Sequence, residues 1–200
     1  MEKFYKETPL EKIPWNKTQA DFFQKLLNSN ELGNGTALDS GCGVGTKSIA
    51  LAKKGFSVTG IDIAPTAIRH AKEKANNENV KVRFITADAT NLAFLGNKKF
   101  DLILDWANLH MIIENKREKY IKGIIKHCKK GGLFLLRCFS KHGASKMEIG
   151  FLTVMGPIYL FSRNDVEKLF GKHFKVIKIN RSKAWKHPWR LLDEYLMKRL

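Results

Sequence analysis

The sequence has 200 residues, of which 44% are hydrophobic, and it carries a formal net charge of +17 at pH 7. This length suits one compact domain, and the 13 phenylalanines and 4 tryptophans exclude an intrinsically disordered chain. Three cysteines without paired spacing exclude a disulfide scaffold and indicate a reducing compartment. The first six residues lack the apolar run of a signal peptide, so we expect a soluble, cytoplasmic protein.

The positive charge makes nucleic acid a partner to consider, because a basic surface attracts phosphates. The lysines and arginines are spread along the chain, however, and no nucleic-acid-binding motif is present. We interpret the charge mainly as solvation of the surface and do not favour a nucleic-acid partner. No membrane contact is expected, since the longest apolar stretch, residues 149–161, is too short to span a bilayer and contains Gly150, Gly156 and Pro157. The sequence leaves the oligomeric state open.

Residues 1–35 predict a leading helix that lies over one edge of a sheet, because apolar side chains recur from Ala20 to Leu27. From residue 36 onward, short β-like runs alternate with helical patterns. The predicted strands cover residues 36–39, 56–62, 80–87, 100–106, 133–139 and 174–179. The predicted helices cover residues 46–54, 65–77, 116–129 and 162–171. Gly55 and the pair Gly131-Gly132 are expected to stop helices, Ser162 and Asp165 to cap one, and residues 189–200 fit either a helix or a strand.

This alternation of strand and helix predicts an α/β fold with a parallel sheet and helices on both faces. In such sheets a ligand lies beyond the carboxyl ends of the strands. The first predicted strand ends in Asp39 and is followed by a turn with Gly41, Gly43 and Gly45, where the missing side chains let the backbone approach a ligand. The second strand ends in Asp62, whose carboxylate can accept both hydroxyls of a ribose.

The third and fourth predicted strands end in acidic residues too. Asp88 and Ala89 follow the third strand, where they can form hydrogen bonds with an adenine edge. Asp105 and Trp106 end the fourth strand, nearest the point where a substrate would meet a cofactor. Any one of these features occurs in many folds, but four at one sheet edge predict a nucleoside-cofactor site.

A nicotinamide-dependent dehydrogenase is the rival interpretation, because it also has an acid about twenty residues after its glycines. Its fingerprint requires Gly-x-Gly-x-x-Gly, whereas here Thr46 takes the last glycine position and Gly45 comes one residue early. A P-loop is excluded because no Gly-Lys-Ser/Thr follows the glycines. Asp39, directly before the turn, would repel a pyrophosphate but suits an ammonium or sulfonium group. The charge therefore favours S-adenosylmethionine.

The run from Leu38 to Thr46, LDSGCGVGT, resembles the first motif of class I S-adenosylmethionine-dependent methyltransferases. The run from Lys129 to Leu133, KKGGL, is similar to that family's Pro-Gly-Gly turn, with Lys130 in place of proline. The resemblance covers about residues 36–180. It implies a Rossmann-like, doubly wound, mostly parallel seven-stranded sheet whose last strand is antiparallel. We expect one domain over residues 1–200, with a helical lid at 1–35 and a cofactor-binding core at 36–200.

A narrower resemblance is to the branch with the thiopurine, small-thiol and tellurite-resistance methyltransferases. It rests on Pro14-Trp15, on Leu109-His110-Met111, on Phe139-Ser140 and on Gly156-Pro157. The resemblance implies that Trp15 closes over the cofactor and that the segment around His110 faces the methyl acceptor. The chain departs from this branch after Trp15, where Asn16-Lys17-Thr18 replaces an acidic or glycine-containing continuation.

The leading hypothesis is methylation of a small, soft nucleophile such as a thiol, which ionises near neutral pH and needs little base catalysis. If a proton must be removed, His110 is the first candidate base and Asp105 the second. The alternatives are an O- or N-methyltransferase of a small metabolite and an RNA-directed methyltransferase or binding protein. Methylation of an exocyclic base amine is disfavoured, because no Pro-Pro follows Asp105.

The remaining motifs are interpreted structurally. We expect residues 151–161 to roof the acceptor pocket, and Trp185 and Trp189 to cover a sheet edge rather than stack on nucleobases. The three cysteines do not share metal-ligand spacing, so no metal site is expected. S-Adenosylmethionine is the expected cofactor, with S-adenosylhomocysteine as its product. The expected cofactor-binding residues are Trp15, Asp39, Gly41, Cys42, Gly43, Asp62, Ile63, Asp88, Ala89 and Asp105.

Overall fold

The computed structural model describes residues 1–16, 21–144, 150–153, 156–183 and 190–200. The helices are α1 Glu2–Glu7, α2 Phe22–Asn28, α3 Thr46–Lys53, α4 Pro65–Asn77, α5 Glu114–His127 and α6 Arg163–Phe170. The strands are β1 Thr36–Ser40, β2 Ser57–Asp62, β3 Arg83–Thr86, β4 Phe100–Trp106, β5 Cys128–Phe139, β6 Gly150–Thr153, β7 Gly156–Tyr159, β8 Phe174–Lys183 and β9 Leu191–Arg199. None of the helices within these ranges combines the length and the apolar content that crossing a bilayer requires.

Seven strands form one sheet in the order β3-β2-β1-β4-β5-β9-β8. Strands β1 to β5 pair in parallel, and only β9 runs antiparallel to its neighbours β5 and β8. The predicted Rossmann-like sheet with an antiparallel last strand is therefore confirmed. The strand order reverses between β1 and β4, which opens a crevice at the carboxyl ends of these two strands.

The hydrophobic core lies on both faces of the sheet, which explains why the central strands are almost entirely apolar. In β4, Ile103 packs with the cluster that contains Tyr120 of α5 and Phe170 of α6. Its neighbours Leu102 and Leu104 point to the other face and pack with the cluster that contains Phe23, Leu26 and Leu51 of α2 and α3. Both clusters hold the ends of β1 and β4 in fixed positions.

The expected leading helix is confirmed only over its apolar residues, where α2 covers Phe22–Asn28. Residues 1–16 form α1 and two short 3-10 turns at Leu10–Lys12 and Pro14–Asn16, because Pro9 and Pro14 cannot continue a helix. Thr8, before Pro9, is extended. Helix α2, which the Asp21 side chain caps, packs its apolar side chains into the core. It therefore belongs to the core rather than to a lid.

The pair Gly131-Gly132 does not stop α5, contrary to expectation. The helix ends at His127, and Cys128 is already extended and begins β5. Gly131 has a φ of 75°, and the pairing of β4 with β5 shifts register between Phe100 and Leu102. The two glycines therefore lie in an irregularity of the strand. The ambiguous tail is strand β9, and residues 156–159, expected only as part of a roof, pair with β6 as a hairpin.

The predicted cap of α6 is confirmed. The Ser162 hydroxyl accepts a hydrogen bond from the Asp165 backbone N–H, and the Asp165 carboxylate accepts one from the Ser162 N–H at 2.7 Å. These reciprocal bonds satisfy two backbone donors at the start of the helix.

We predict that Ser162→Ala lowers the free energy of unfolding by about 1 kcal/mol, because an N–H at the start of α6 loses its acceptor. Urea unfolding followed by circular dichroism measures this change. Ser57→Ala, at the exposed first residue of β2, serves as the control and should change the free energy of unfolding by less than about 0.5 kcal/mol. Equal effects of the two substitutions would contradict the capping role.

Candidate active site

The glycine-rich turn joins β1 to α3 at the crevice. Gly41, Gly43 and Gly45 have φ values of 80°, 54° and 78°, which favour glycine. A Cβ at Gly41 would lie 2.6 Å from the Asn108 side chain, and one at Gly43 would lie 2.9 Å from the Tyr5 hydroxyl. The glycines are therefore required both by the backbone and by the side chains packed against the loop.

The N–H groups of this loop are bonded within the protein. Those of Gly41 and Cys42 both donate to the Ile61 carbonyl, at 2.9 and 2.8 Å, and that of Gly43 donates to Asp62 Oδ2 at 2.9 Å. The N–H of Gly45 donates to the Cys42 carbonyl at 3.0 Å. Loops that bind phosphate direct such N–H groups at the ligand. The N–H groups of Gly41, Cys42, Gly43 and Gly45 are therefore engaged within the protein and are not directed at a ligand.

Asp39 is buried at the end of β1, where its Oδ2 accepts a hydrogen bond from the Ser48 hydroxyl at 2.6 Å. Burial raises the pKa of Asp39 to about 7, and the nearby negative charges of Asp105 and Asp62 contribute to the increase. A cation beside this carboxylate would reverse that effect. Asp39 is thus a buried carboxylate beside the crevice whose ionised form a bound cation would stabilise.

Asp62 joins the loop to the end of β2. Besides the Gly43 N–H on Oδ2, its Oδ1 accepts the Ala64 N–H at 2.9 Å. Burial raises the pKa of Asp62, and these two N–H groups oppose the increase. Each carboxylate oxygen has a second lone pair, so further hydroxyl donors can be accepted. The next side chain, Ile63, is 57% exposed and offers an apolar surface beside the carboxylate.

Asp88 and Ala89 lie half-buried beyond β3. Asp88 Oδ1 accepts the N–H and the hydroxyl of Thr90, both at 2.8 Å, and Oδ2 lies 3.5 Å from Lys116 Nζ. Although burial opposes it, the Thr90 bonds and the Lys116 charge lower the pKa of Asp88. Asp88 is therefore ionised at neutral pH and shapes the turn that carries Ala89.

Asp105 is fully buried and is occupied by protein donors. It accepts the Tyr120 hydroxyl at 2.5 Å and the N–H groups of Asn108 and Leu109 at 2.7 and 3.0 Å. Burial raises its pKa to about 6, and these bonds oppose the increase. Within this turn Ala107 has a φ of 83°, a left-handed conformation that is strained for a residue other than glycine. Asp105 thus holds the turn that presents Asn108 and His110.

His110 lies in this turn and is only 3% exposed. Its ring packs edge-to-face on Phe139 with centroids 4.8 Å apart, and its Nδ1 has no hydrogen-bond partner in the part of the chain that the structure describes. Burial lowers the pKa of His110 to about 3, and the charge of Arg137 acts in the same direction. The imidazole is therefore neutral at physiological pH and has an unused polar atom.

Residues 1–16 cover the glycine loop. Trp15 Nε1 donates to the Tyr5 hydroxyl at 3.2 Å, and both side chains lie over Gly43. Glu2 accepts the Thr66 N–H at 3.1 Å and the Thr66 hydroxyl at 2.6 Å, which attaches this segment to the start of α4. No motif marks Tyr5 or Glu2 in the sequence, because both act through partners far away along the chain.

The expected roof is described only in part, since the side chains of residues 151–155 lie outside the described structure. Ile158, Leu160 and Phe161 are buried, and the Phe161 N–H donates to the Phe139 carbonyl at 2.8 Å, beside His110. Trp185 and Trp189 also lie outside the described residues. The thiol of Cys42 is buried, which raises its pKa well above the ordinary value, so a nucleophilic role is disfavoured. Across the described ranges, no three His, Cys, Asp or Glu side chains are grouped to hold a metal ion.

Comparison with known proteins gives relatives that include several methyltransferases. A family described as the methyltransferase domain matches residues 37–132. An uncharacterised methyltransferase of Schizosaccharomyces pombe is 32% identical over 123 residues, which are 60% of this chain and 83% of the relative. The 2-heptyl-1-hydroxyquinolin-4(1H)-one methyltransferase of Mycobacteroides abscessus is 32% identical over 131 residues, 64% of this chain and 56% of that enzyme. The chain thus spans little more than half the length of the second relative.

Solved structures agree on the fold. The PH0226 protein of Pyrococcus horikoshii superimposes with a TM-score of 0.75 at 19% identity, over the whole of both chains. A second solved structure concerns the conversion of a disulfide bond into a thioacetal group during echinomycin biosynthesis. It superimposes with a TM-score of 0.73 at 24% identity, over 99% of this chain and 89% of that one. The S. pombe relative, covered over 83% of its length, and the matched methyltransferase domain, together with the sheet order and the glycine loop, establish that the chain belongs to the class I S-adenosylmethionine-dependent methyltransferases.

Proposed function

We propose that the protein transfers the methyl group of S-adenosylmethionine to a small, soft nucleophile, with a thiol as the leading acceptor. The observation that carries the proposal is the pairing of a carboxylate-rich cofactor edge with a neutral, buried His110. The first feature suits a cationic cofactor. The second suits an acceptor that reaches the site already ionised.

The donor and acceptor groups of the crevice fit this cofactor. Asp39 can accept the ammonium of the methionine part, and Gly41 and Gly43 let Asn108, Tyr5 and Trp15 pack closely around the loop beside it. The free lone pairs of Asp62 suit the two ribose hydroxyls. Ile63 offers an apolar face to the adenine, and Asp88 with Ala89 can bond its edge. Trp15 would close over the bound cofactor from the N-terminal segment.

When bound, S-adenosylmethionine supplies an electrophilic methyl group on a positively charged sulfur. The protein must then hold the acceptor in line with that group and exclude water. Phe139 and Phe161 provide apolar surface for this purpose beside His110. The unpartnered Nδ1 of His110 can position the acceptor through a hydrogen bond.

The two candidate bases are poorly suited to removing a tightly held proton. His110, with a pKa of about 3, is a weak base, and the carboxylate of Asp105 already accepts three hydrogen bonds. An acceptor that ionises by itself near pH 7 does not need such a base. Thiols meet this condition, since a free thiol has a pKa of about 8.5 and its thiolate is strongly nucleophilic. We therefore propose that Asp105 is a positioning residue and His110 an acceptor-binding residue.

A heteroaromatic N- or O-acceptor is the second candidate. The aromatic surface of Phe139 and Phe161 beside His110 favours it, and the M. abscessus relative is named for a hydroxyquinolone. An acidic N-hydroxyl group would, like a thiol, arrive as an anion. Both candidates require an acceptor that ionises without help from a strong base, and they differ in the size and shape of that acceptor.

The proposal is tested by following transfer of a labelled methyl group from S-adenosylmethionine to small thiols, to hydroxyquinolones and to total RNA in parallel. We expect label in a thioether, with a rate that increases with pH as the thiol ionises. Label in the hydroxyquinolones alone would favour the second candidate. Label in RNA alone would contradict both.

We predict that the affinity for S-adenosylhomocysteine depends on the ionisation of Asp39. Because the pKa of Asp39 is about 7 in the ligand-free protein, only about a tenth of the carboxylate is charged at pH 6. The ammonium of the ligand needs the charged form, so the dissociation constant should be roughly tenfold larger at pH 6 than at pH 8. Isothermal titration calorimetry at the two pH values measures this ratio.

Asp39→Asn should bind weakly at both pH values, whereas the exposed control Glu118→Gln should behave like the wild type. The ionisation of Asp39 also changes the free energy of unfolding of the ligand-free protein. The folded pKa lies above the ordinary value of 3.8, so charging Asp39 disfavours folding, and the ligand-free wild type should lose stability relative to Asp39→Asn as the pH rises from 4 to 7. A pH-independent affinity in the wild type would contradict the assignment of Asp39.

We predict that Asp62→Asn raises the dissociation constant for S-adenosylhomocysteine about tenfold or more. The substitution weakens charge-assisted bonds to the ribose and removes one of the oxygens that hold the loop; a bond to a charged group contributes about 1.5–3 kcal/mol. Asp62→Ala should weaken binding further without unfolding the protein, which near-ultraviolet circular dichroism would verify. Unchanged affinity in both variants would refute the role of Asp62.

A further inference from the structure

Seven exposed lysines lie at the amino ends of the parallel strands, on the sheet edge opposite the candidate active site. We infer that this row, called here the basic edge, binds the phosphate backbone of a nucleic acid, and that a nucleic acid bound there is not the methyl acceptor. The basic edge consists of Lys54, Lys81, Lys99, Lys130, Lys172, Lys175 and Lys198.

The topology brings these residues to one edge although they are far apart in sequence. Lys54, Lys81 and Lys99 precede β2, β3 and β4, and Lys130 lies near the start of β5. Lys172 and Lys175 flank the first residue of β8. Strand β9 runs antiparallel, so its end returns to the same edge, where Lys198 pairs with Lys175 in the sheet.

Local contacts connect neighbouring parts of this edge. Asp101 of β4 accepts the Thr36 N–H at 2.8 Å at the start of β1, and it also bonds Lys129 of β5 at 2.7 Å. At the far end, Arg199 donates to the His173 carbonyl at 2.8 Å, which joins β9 to the start of β8. The edge is thus one surface rather than a set of separate loops.

The positive charge of the basic edge is not neutralised by the protein. The acidic side chains near it are each bonded to another cation: Glu78 to Lys53, Asp101 to Lys129, and Glu31 to Lys178. Among the residues that the structure describes, none of the seven lysines forms an ion pair. Helix C-termini attract cations, and α3, α4, α5 and α6 end shortly before Lys54, Lys81, Lys130 and Lys172; Lys99, Lys175 and Lys198 do not follow an α-helix directly.

The opposite end of the sheet has the opposite charge, because Asp39, Asp62, Asp88 and Asp105 lie at the carboxyl ends of the strands. A strand of seven residues such as β4 is roughly 20 Å long, so the two charged ends are about one strand length apart. A polyanion is attracted to the basic edge and repelled from the crevice. For this reason we infer binding without methylation of the bound nucleic acid.

The shape of the basic edge suits a linear polyanion. Seven strands about 4.8 Å apart give an edge of roughly 29 Å, and a nucleic-acid strand in a duplex carries a phosphate about every 3.4 Å. An anionic membrane surface is the competing partner, but stable attachment to a bilayer also needs apolar side chains that insert into it. Leu200, directly after β9, is an exposed apolar side chain at this edge, but the seven lysines outweigh it, and this excess of charge over apolar surface favours the nucleic acid.

The inference is tested by fluorescence anisotropy with a labelled 20-nucleotide single-stranded RNA and a 20-base-pair DNA, each titrated with the full chain at several salt concentrations. The test variant combines Lys99→Glu, Lys130→Glu and Lys172→Glu. The control combines Lys12→Glu, Lys72→Glu and Lys119→Glu, which are exposed, lie away from the basic edge and change the net charge equally. Both variants should keep the wild-type affinity for S-adenosylhomocysteine.

At 100 mM salt we expect the test variant to bind at least thirtyfold more weakly than the wild type, and the control less than threefold. The slope of log affinity against log salt should decrease by about 2–3 in the test variant, since each lost phosphate contact contributes about 0.7–0.9. Equal losses in the two variants would overturn the inference, as would wild-type binding to phosphatidylserine vesicles but not to nucleic acid. Methyl label in the bound RNA would overturn its second part.

Discussion

The hydrogen bond from the Gly43 N–H to the Asp62 carboxylate is the contact on which the site depends. It attaches the glycine loop to the end of β2, while the Ile61 carbonyl engages the N–H groups of Gly41 and Cys42. With these donors occupied inside the protein, the loop offers fewer N–H groups to a phosphate, and the nearby Asp39 carboxylate opposes a second negative charge. The same sheet that binds dinucleotides in dehydrogenases is thereby adapted to a cofactor with positive charge.

Buried carboxylates give the crevice its preference for a cationic cofactor. Burial raises the pKa values of Asp39, Asp62 and Asp105, and repulsion from Asp105 and Asp62 adds to the increase for Asp39. A cationic cofactor relieves part of this unfavourable charge, so its binding and the ionisation of the site are coupled. The turn held by Asp105 presents a neutral imidazole, which is suited to positioning an acceptor rather than to deprotonating it. Under the proposed function, such a site favours acceptors that ionise readily.

Much of the fold and of the cofactor edge could be predicted from the sequence, because local patterns determine them. The apolar run of β4 and the turn after Asp39 specify a buried strand and a tight turn without reference to the rest of the chain. Tail strand β9 and the start of β5 could not be assigned, since pairing across the sheet decides them. The leading helix is limited to α2, because Pro9 and Pro14 interrupt the helical pattern before it. Contacts of Tyr5 and Asn108 with the loop join distant parts of the chain and have no sequence pattern.

The central claim is that the crevice binds a cationic nucleoside cofactor and not a dinucleotide. The most direct test is to compare S-adenosylmethionine with NAD by isothermal titration calorimetry at pH 8. The account predicts one S-adenosylmethionine bound per chain and no measurable heat from NAD, because four N–H groups of the loop are engaged within the protein and the carboxylate of Asp39 repels a pyrophosphate. Binding of NAD with equal or higher affinity, or no binding of S-adenosylmethionine, would contradict it.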